Sequence, residues 1–339
     1  GALFIDGAGH VDEIYSSSFV GNNATNGKGG AIDWVASSGH IEESYFEKNY
    51  AEFGGAIYMG GSSSDSSISR VEFIDNVAGQ RGGAIDWNSS GGNLTHTLFK
   101  GNVADYGAAL CRESQATNGF GINNTFIENH ARISGAGLAW MNSVGIHINN
   151  YSFIDNTAGV SGAAIYISPG SDNCVIFNST FTGNHITNMT SGHEGGAIDC
   201  DANNATINMS SFENNRAYDG GAIHVSSGSG NTHIISSNFT NNQAVENGGA
   251  IAVSASELNI TMSNFDNNKA HNGGAIYEGG NGQNNYITAS NFTNNVAEKG
   301  YGGAIDWVAS AGNVVDSYFD ANEISRSAER RVGKECRSR

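Results

Sequence analysis

Proline is nearly missing from this chain: Pro169 is the only one in 339 residues, and there are six leucines and four cysteines. So little proline excludes a proline-rich linker, and 47 glycines without a strict three-residue period exclude a collagen-like rod. Scarce leucine argues against leucine-rich repeats. Helical solenoids need long stretches of 3.6 periodicity in long-chain helix formers, which are absent. Nowhere do 18 apolar residues run together, so no segment reads as a membrane-spanning helix. Positive charge is also short. Residues 1–325 hold ten Lys and Arg against 31 Asp and Glu, a net of −21, and six basic residues and two Glu from Arg326 onward bring the whole chain to −17. A nucleic-acid partner needs a basic stripe, so none is expected. There is no starting Met and no signal peptide. The chain opens on GALF, the second half of a Gly-Gly-Ala word, and reads as a fragment.

What the chain does have is repetition. A Phe recurs at Phe19, Phe46, Phe73, Phe99, Phe126, Phe153, Phe181, Phe212, Phe239, Phe265, Phe292 and Phe319, in steps of 26 to 31 residues and mostly 27. Three residues after each comes an asparagine: Asn22, Asn49, Asn76, Asn102, Asn129, Asn156, Asn184, Asn215, Asn242, Asn268, Asn295 and Asn322. Five after the Phe is Ala, except at Ile186 and Ile324, and five before it is an aliphatic residue in all but the fifth copy. Between these words stand Gly-Gly-Ala-Ile and short apolar–polar alternations broken by Gly, Asn and Ser, which read as strands of three to five residues joined by tight turns.

One copy therefore makes one coil of an all-β, right-handed parallel β-helix of the pectin-lyase-like kind. About twelve coils of some 27 residues would stack about 4.8 Å apart into a rod of roughly 60 Å. Stacking places equal positions on top of each other. Inward Phe rings meet the rings above and below, and a buried Asn bonds to its neighbouring Asn and to backbone groups that the turn leaves open. A second period lies on the first. From the Gly-Gly word to the next Phe the gap runs 17, 19, 17, 19, 18, 19, 17, 19, 17, 19, 17, so the unit reads as a two-coil piece of about 53 residues.

Two places break the pattern. The segment between Asn184 and Gly195 is longer than its counterparts. After Ile324 the repeat stops, and the basic tail 326–339, with Cys336, shows no apolar periodicity and reads as non-native sequence outside the single repeat domain 1–325.

With the Phe-x-x-Asn and Gly-Gly-Ala-Ile words in view, residues 1 to about 325 resemble the repeats of chlamydial polymorphic membrane proteins. They are also similar to the adhesin-like surface proteins of methanogenic archaea, toward which the Asn-rich, Lys-poor composition leans. Either resemblance implies a secreted or surface-displayed stalk, extracellular or on an outer membrane, with its anchor elsewhere. The implied partner is a glycan or protein surface on a host or neighbouring cell. The shared residues are interior ones, so the resemblance says much about fold and little about ligand.

Candidate function falls on the residue after each Gly-Gly-Ala-Ile word. If the Ile faces in, its successor faces out, giving a strip of Asp33, Tyr58, Asp86, Tyr166, Asp199, His224, Tyr277 and Asp306, able to bind sugars by hydrogen bonding and ring stacking. Acids two coils apart would lie about 9.6 Å apart, near the upper limit for an inverting glycosidase pair. A polysaccharide lyase or glycoside hydrolase is thus the alternative reading. Against it, the acids belong to the repeat rather than interrupt it. No coil differs enough from its neighbours to build a cleft except at the 185–194 loop, which offers no nucleophile or base partner beyond His185, His193 and Glu194. Arg112 is read as sitting at the strip's edge. Trp34, Trp87, Trp140 and Trp307 share a column with Met59, Ile167, Val225 and Val253 and read as core. His185, His193 and Glu194 lie together in the long segment, but their spacing matches no zinc signature, so neither metal nor other cofactor is expected. Cys111, Cys174 and Cys200 show no paired spacing; stacking sets Cys174 beside Ala205, and buried thiols are expected. Twelve Asn-x-Ser/Thr sequons occur, from Asn23 to Asn291, as an Asn-, Ser- and Thr-rich chain produces readily.

Overall fold

A computed structural model describes residues 1–6, 12–35, 38–61, 66–89, 91–113, 118–255, 257–280, 283–308 and 311–325. The tail 326–339 and its Cys336 lie outside the described residues. The described chain forms four twelve-stranded sheets, and every pairing is parallel, each strand bonding to its equivalent in the coils before and after. No helix occurs among the described residues, and none is therefore long and apolar enough to cross a membrane. The molecule is a parallel β-helix.

Each coil visits the sheets in the same order. The Gly-Gly sheet runs from Leu3–Ile5 to Ile305–Trp307, and the aliphatic sheet from Asp12–Tyr15 to Gly312–Val315. The Phe sheet follows, from Ser18–Val20 to Tyr318–Asp320, and the Ala sheet from Asn23–Lys28 to Glu323–Ser325. Sequence reasoning takes His233-Ile-Ile-Ser-Ser-Asn-Phe239 as one strand. The structure divides it into His233–Ile235 and Asn238–Thr240 because Ser236 turns the chain with φ 49, and Asn241 turns it again with φ 57. These two left-handed corners let three short strands wrap one core.

The interior is a set of columns. Adjacent Phe rings of the repeat stack without interruption from Phe19 to Phe319, with centroids 4.6 to 5.0 Å apart. That separation is the strand spacing itself, so the backbone sets the stacking. Asn242 shows how the amide column works. Its Oδ1 accepts from the backbone N–H and the Nδ2 of Asn215, both at 3.0 Å, while its own Nδ2 donates to Phe212 O at 2.9 Å and Asn268 Oδ1 at 3.0 Å. One side chain thus ties three coils and leaves no buried amide group open. A second polar column, two residues before the Phe, does similar work: Ser210 N donates to Ser237 Oγ at 3.2 Å, and that hydroxyl donates to Ile235 O at 2.9 Å. Its signal was present as the recurring Ser of Ser-Asn-Phe and Ser-Ser-Phe.

Glycine is required at the first position of the Gly-Gly word. Gly248 has φ 62, and a Cβ there would run into the Ile251 carbonyl. The two-coil period has a packing cause as well. In short coils the Trp34, Trp87 and Trp307 rings fill the space beside Gly39, Gly92 and Gly312, and in long coils Tyr58 and Tyr277 lie against Gly60 and Gly279. Trp34, Trp87 and Trp140 are fully buried. Arg112 is not at the strip's edge. It occupies this inward Trp column, with its guanidinium 4.6 Å from the Trp87 ring centroid and Nη1 donating to Gly91 O at 3.1 Å; burial lowers it to about 10. The reason is parity: the strip residue is Cys111, so its successor must point in.

Candidate functional site

The strip residues sit where stacking puts them, in register on the Gly-Gly sheet: Asp33 beside Tyr58, Tyr58 beside Asp86, Asp86 beside Cys111, then Ala139, Tyr166, Asp199, His224, Ala252, Tyr277 and Asp306. They point away from the hydrophobic core, yet the strip is not a solvent-washed face. Asp86 is wholly buried, and Tyr58, Asp199 and His224 retain only 6%, 5% and 7% exposure. Asp33, Tyr166, Tyr277 and Asp306 are half-buried.

Two further columns roof the strip. One is the residue immediately before each Gly-Gly word. The register of the Ala sheet shifts just upstream of it, and residues such as Lys28, Arg81 and Asp219 come to the strand's end. From there Lys28 Nζ donates to the Tyr58 hydroxyl at 2.9 Å and lies 4.0 Å from that ring's centroid. The other is two residues after the strip, where Glu113, Met141 and Asp201 stand. Sequence reasoning missed both columns, because neither repeats one residue type. Their drift was itself the signal.

Along this roofed groove two clusters form. Downstream, the His224 imidazole Nδ1 lies 2.8 Å from Asp199 Oδ1 and 3.1 Å from Glu194 Oε2. Burial by itself would lower His224; the bond to Asp199 and the charges of Asp199, Glu194 and Asp201 outweigh it and hold the imidazole up at about 9. The ring is therefore a cation at neutral pH. Burial raises Glu194 and Asp201 above the ordinary carboxylate range, against the pull of His224. The Tyr166 hydroxyl donates to Asp201 Oδ2 at 3.4 Å and is raised by burial and then by Asp201. Asp219 is raised by burial and holds the Asn247 backbone N–H at 2.9 Å. The 185–194 loop, which sequence reasoning excepted from the uniformity of the coils, is where this cluster gathers. The long segment delivers Glu194 onto the strip, and neighbouring coils supply the rest.

The grouping of Glu194 with His185 and His193 is also corrected. His185 Nδ1 lies 3.2 Å from Gly183 O, and His193 bonds to Thr190 and Asn188 within its own exposed loop. Glu194 turns instead toward His224.

Upstream, Asp86, Cys111 and Glu113 bring one ligand atom each within 4.8 Å of one another, as Glu194, Asp199 and His224 do downstream. Burial, and then the Glu113 charge, push Asp86 well above the ordinary carboxylate range. The Cys111 thiol is pushed up by burial and by both carboxylates. Cys111, Cys174 and Cys200 are all free and buried, and Cys174 stands in register with Ala205, one residue before the pair Val175 and Thr206.

Three stretches, residues 210–226, 236–254 and 263–277, match the sequence profile of the Chlamydia polymorphic membrane protein (Chlamydia_PMP) repeat. No curated protein sequence matches the chain. Among solved structures it is similar to ORF18 of Geobacillus virus E2, at 12% identity and a TM-score of 0.41, over 90% of this chain and 56% of that one. It thus spans little more than half of the viral protein. It is also similar to the A-module of the Azotobacter vinelandii mannuronan C-5 epimerase AlgE6, at 10% identity and a TM-score of 0.34, over 88% of this chain and 91% of that one. The repeats of residues 210–277 are of the chlamydial polymorphic membrane protein kind, carried on a parallel β-helix.

Proposed function

We propose that this chain is the stalk of a surface-displayed or secreted adhesin-like protein, binding a carbohydrate or protein surface through its roofed strip rather than turning over a substrate. The repeats it shares with polymorphic membrane proteins support a surface-type β-helix protein. The observation that carries the binding role is the convergence of Tyr166, Glu194, Asp199, Asp201 and His224. Tyr166, Glu194 and Asp201 keep part of their surface in solvent, so a ring edge, two carboxylates and a buried cation meet at one place on the rod. Sugar hydroxyls are recognised by such a mixture of acceptors beside an aromatic ring.

The same cluster favours one second reading, a polysaccharide-active enzyme, because carboxylates held above their ordinary range beside a histidine are the stuff of general acid chemistry. Binding is the better reading: His224 spends its proton between two carboxylates in an ion pair, and that arrangement orders the groove without a free base.

Glycan-array and whole-cell binding separate the two. Tyr166→Ala and Asp201→Asn should lose binding at an unchanged circular dichroism spectrum. Reducing-end or unsaturated-product release from pectin, alginate or mixed glycans, abolished by Asp199→Asn or Glu194→Gln, would overturn the adhesin reading.

A further inference from the structure

The upstream cluster is built differently from an ordinary acidic patch. Asp86 is fully buried, and among the described residues no donor reaches either of its carboxylate oxygens; the group that faces it is another acid, Glu113. Buried polar atoms in folded proteins are nearly always paired, so two open oxygens on one side chain point to a partner of another kind. Glu113 Oε1 is buried and unbonded as well: Arg81 Nε lies 2.8 Å away, at an angle that makes no hydrogen bond. Cys111 is the next rung above Asp86, and its Sγ lies 3.6 Å from Met141 Sδ. The small Ala139 on the following rung leaves room for Met141 to come over the thiol.

We propose that Asp86, Cys111 and Glu113 form a binding site for a zinc-class divalent cation, with Met141 closing its upper side. The donor set selects the metal. Calcium and magnesium take six or more oxygens, whereas two carboxylate oxygens and one thiolate sulfur suit zinc, which accepts three protein ligands with a fourth position left open. Charge agrees. Among the described residues Arg81 is the cation in ion-pair contact with the cluster, while Lys28 acts on Asp86 from its place beside Tyr58, so in direct contact Asp86 and Glu113 leave one buried negative charge. A divalent ion bound with release of the Cys111 proton to solvent brings Asp86, Glu113, the thiolate, Arg81 and the metal to zero. Sequence spacing could not show this, since Asp86 and Cys111 meet only through the stacking of coils.

The test uses the whole chain, stripped with a chelator and titrated with Co²⁺, then with Zn²⁺. Co²⁺ should give a thiolate-to-metal charge-transfer band that Zn²⁺ displaces and Ca²⁺ does not. The band should vanish in Cys111→Ser and in Asp86→Asn. The Asp86→Asn variant should stay folded by circular dichroism, because it removes a buried charge that has no partner. Zn²⁺ should also raise the melting temperature of the unmutated chain and not that of Asp86→Asn. Absence of a band in the unmutated chain would overturn the proposal. So would a band that survives Cys111→Ser, which would place the metal on another thiol, or Zn²⁺ stabilisation that survives Asp86→Asn.

Discussion

Around His224 two carboxylates close on an imidazole that stays protonated, while four rungs upstream of Asp199 the Asp86 carboxylate is more deeply buried and its cluster's cation, Arg81, is paired with Glu113 instead. Both clusters lie on one face of one sheet, under the same two roofing columns. They differ in what the repeat placed on the next rung: His224 after Asp199, Cys111 after Asp86. The lesson is that a solenoid fixes where its variable positions meet, and a single substitution in the column then decides whether a buried acid is balanced or needs something from outside.

The largest expected effects lie where burial is complete. Phe239→Ala empties the centre of the ring column and should cost about 3–5 kcal/mol; it sets the scale for the interior in urea unfolding. His224→Leu should cost about as much, on the order of 3–5 kcal/mol, because it leaves Asp199 and Glu194 facing each other without a cation. Asp86→Asn should act in the opposite direction in metal-free protein, a gain of about 1–3 kcal/mol from removing an unpaired buried charge. Asn242→Ala should lose about 1–3 kcal/mol by leaving neighbouring amides unpaired. Thr240→Ala, on the outer side of the strand that carries Phe239, should leave the urea midpoint where it is.

Acidity distinguishes the clusters as well. His224 is raised to about 9 from an ordinary 6.5, so its contribution is complete below about pH 6.5 and is lost as pH rises through about 9. Asp86 is raised too, but as an acid it is favoured by protonation: the folded state holds the proton more tightly, and the cost of Asp86 appears as pH climbs above the ordinary carboxylate range. Unfolding midpoints measured from pH 5 to pH 9.5 should therefore fall less steeply in His224→Leu at the alkaline end and less steeply in Asp86→Asn at the acid end.

The interior was largely legible in the sequence. Phe239, Asn242 and Ala244 recur because each touches its own copy one coil away, and contacts between like residues leave a period. The strip was legible as a column but not as a groove. Parity put Asp86 and His224 on the outward side, whereas their burial depends on Arg81, Glu113, Glu194 and Asp201, which lie at repeat-equivalent positions but differ from coil to coil. Arg112 was misplaced by one residue of parity, and a one-residue error in a strand exchanges inside for outside. Glu194 was singled out with the wrong partners, since nearness in sequence favoured His193 and stacking chose His224.

The most direct measurement is a pair of urea unfolding curves at pH 7 in the presence of a chelator, His224→Leu and Asp86→Asn against the unmutated chain. The account predicts midpoints displaced in opposite directions, lower for His224→Leu and higher for Asp86→Asn. Two variants displaced the same way, or an unmoved His224→Leu, would contradict the claim that Asp199 is bonded to a cation and Asp86 is not.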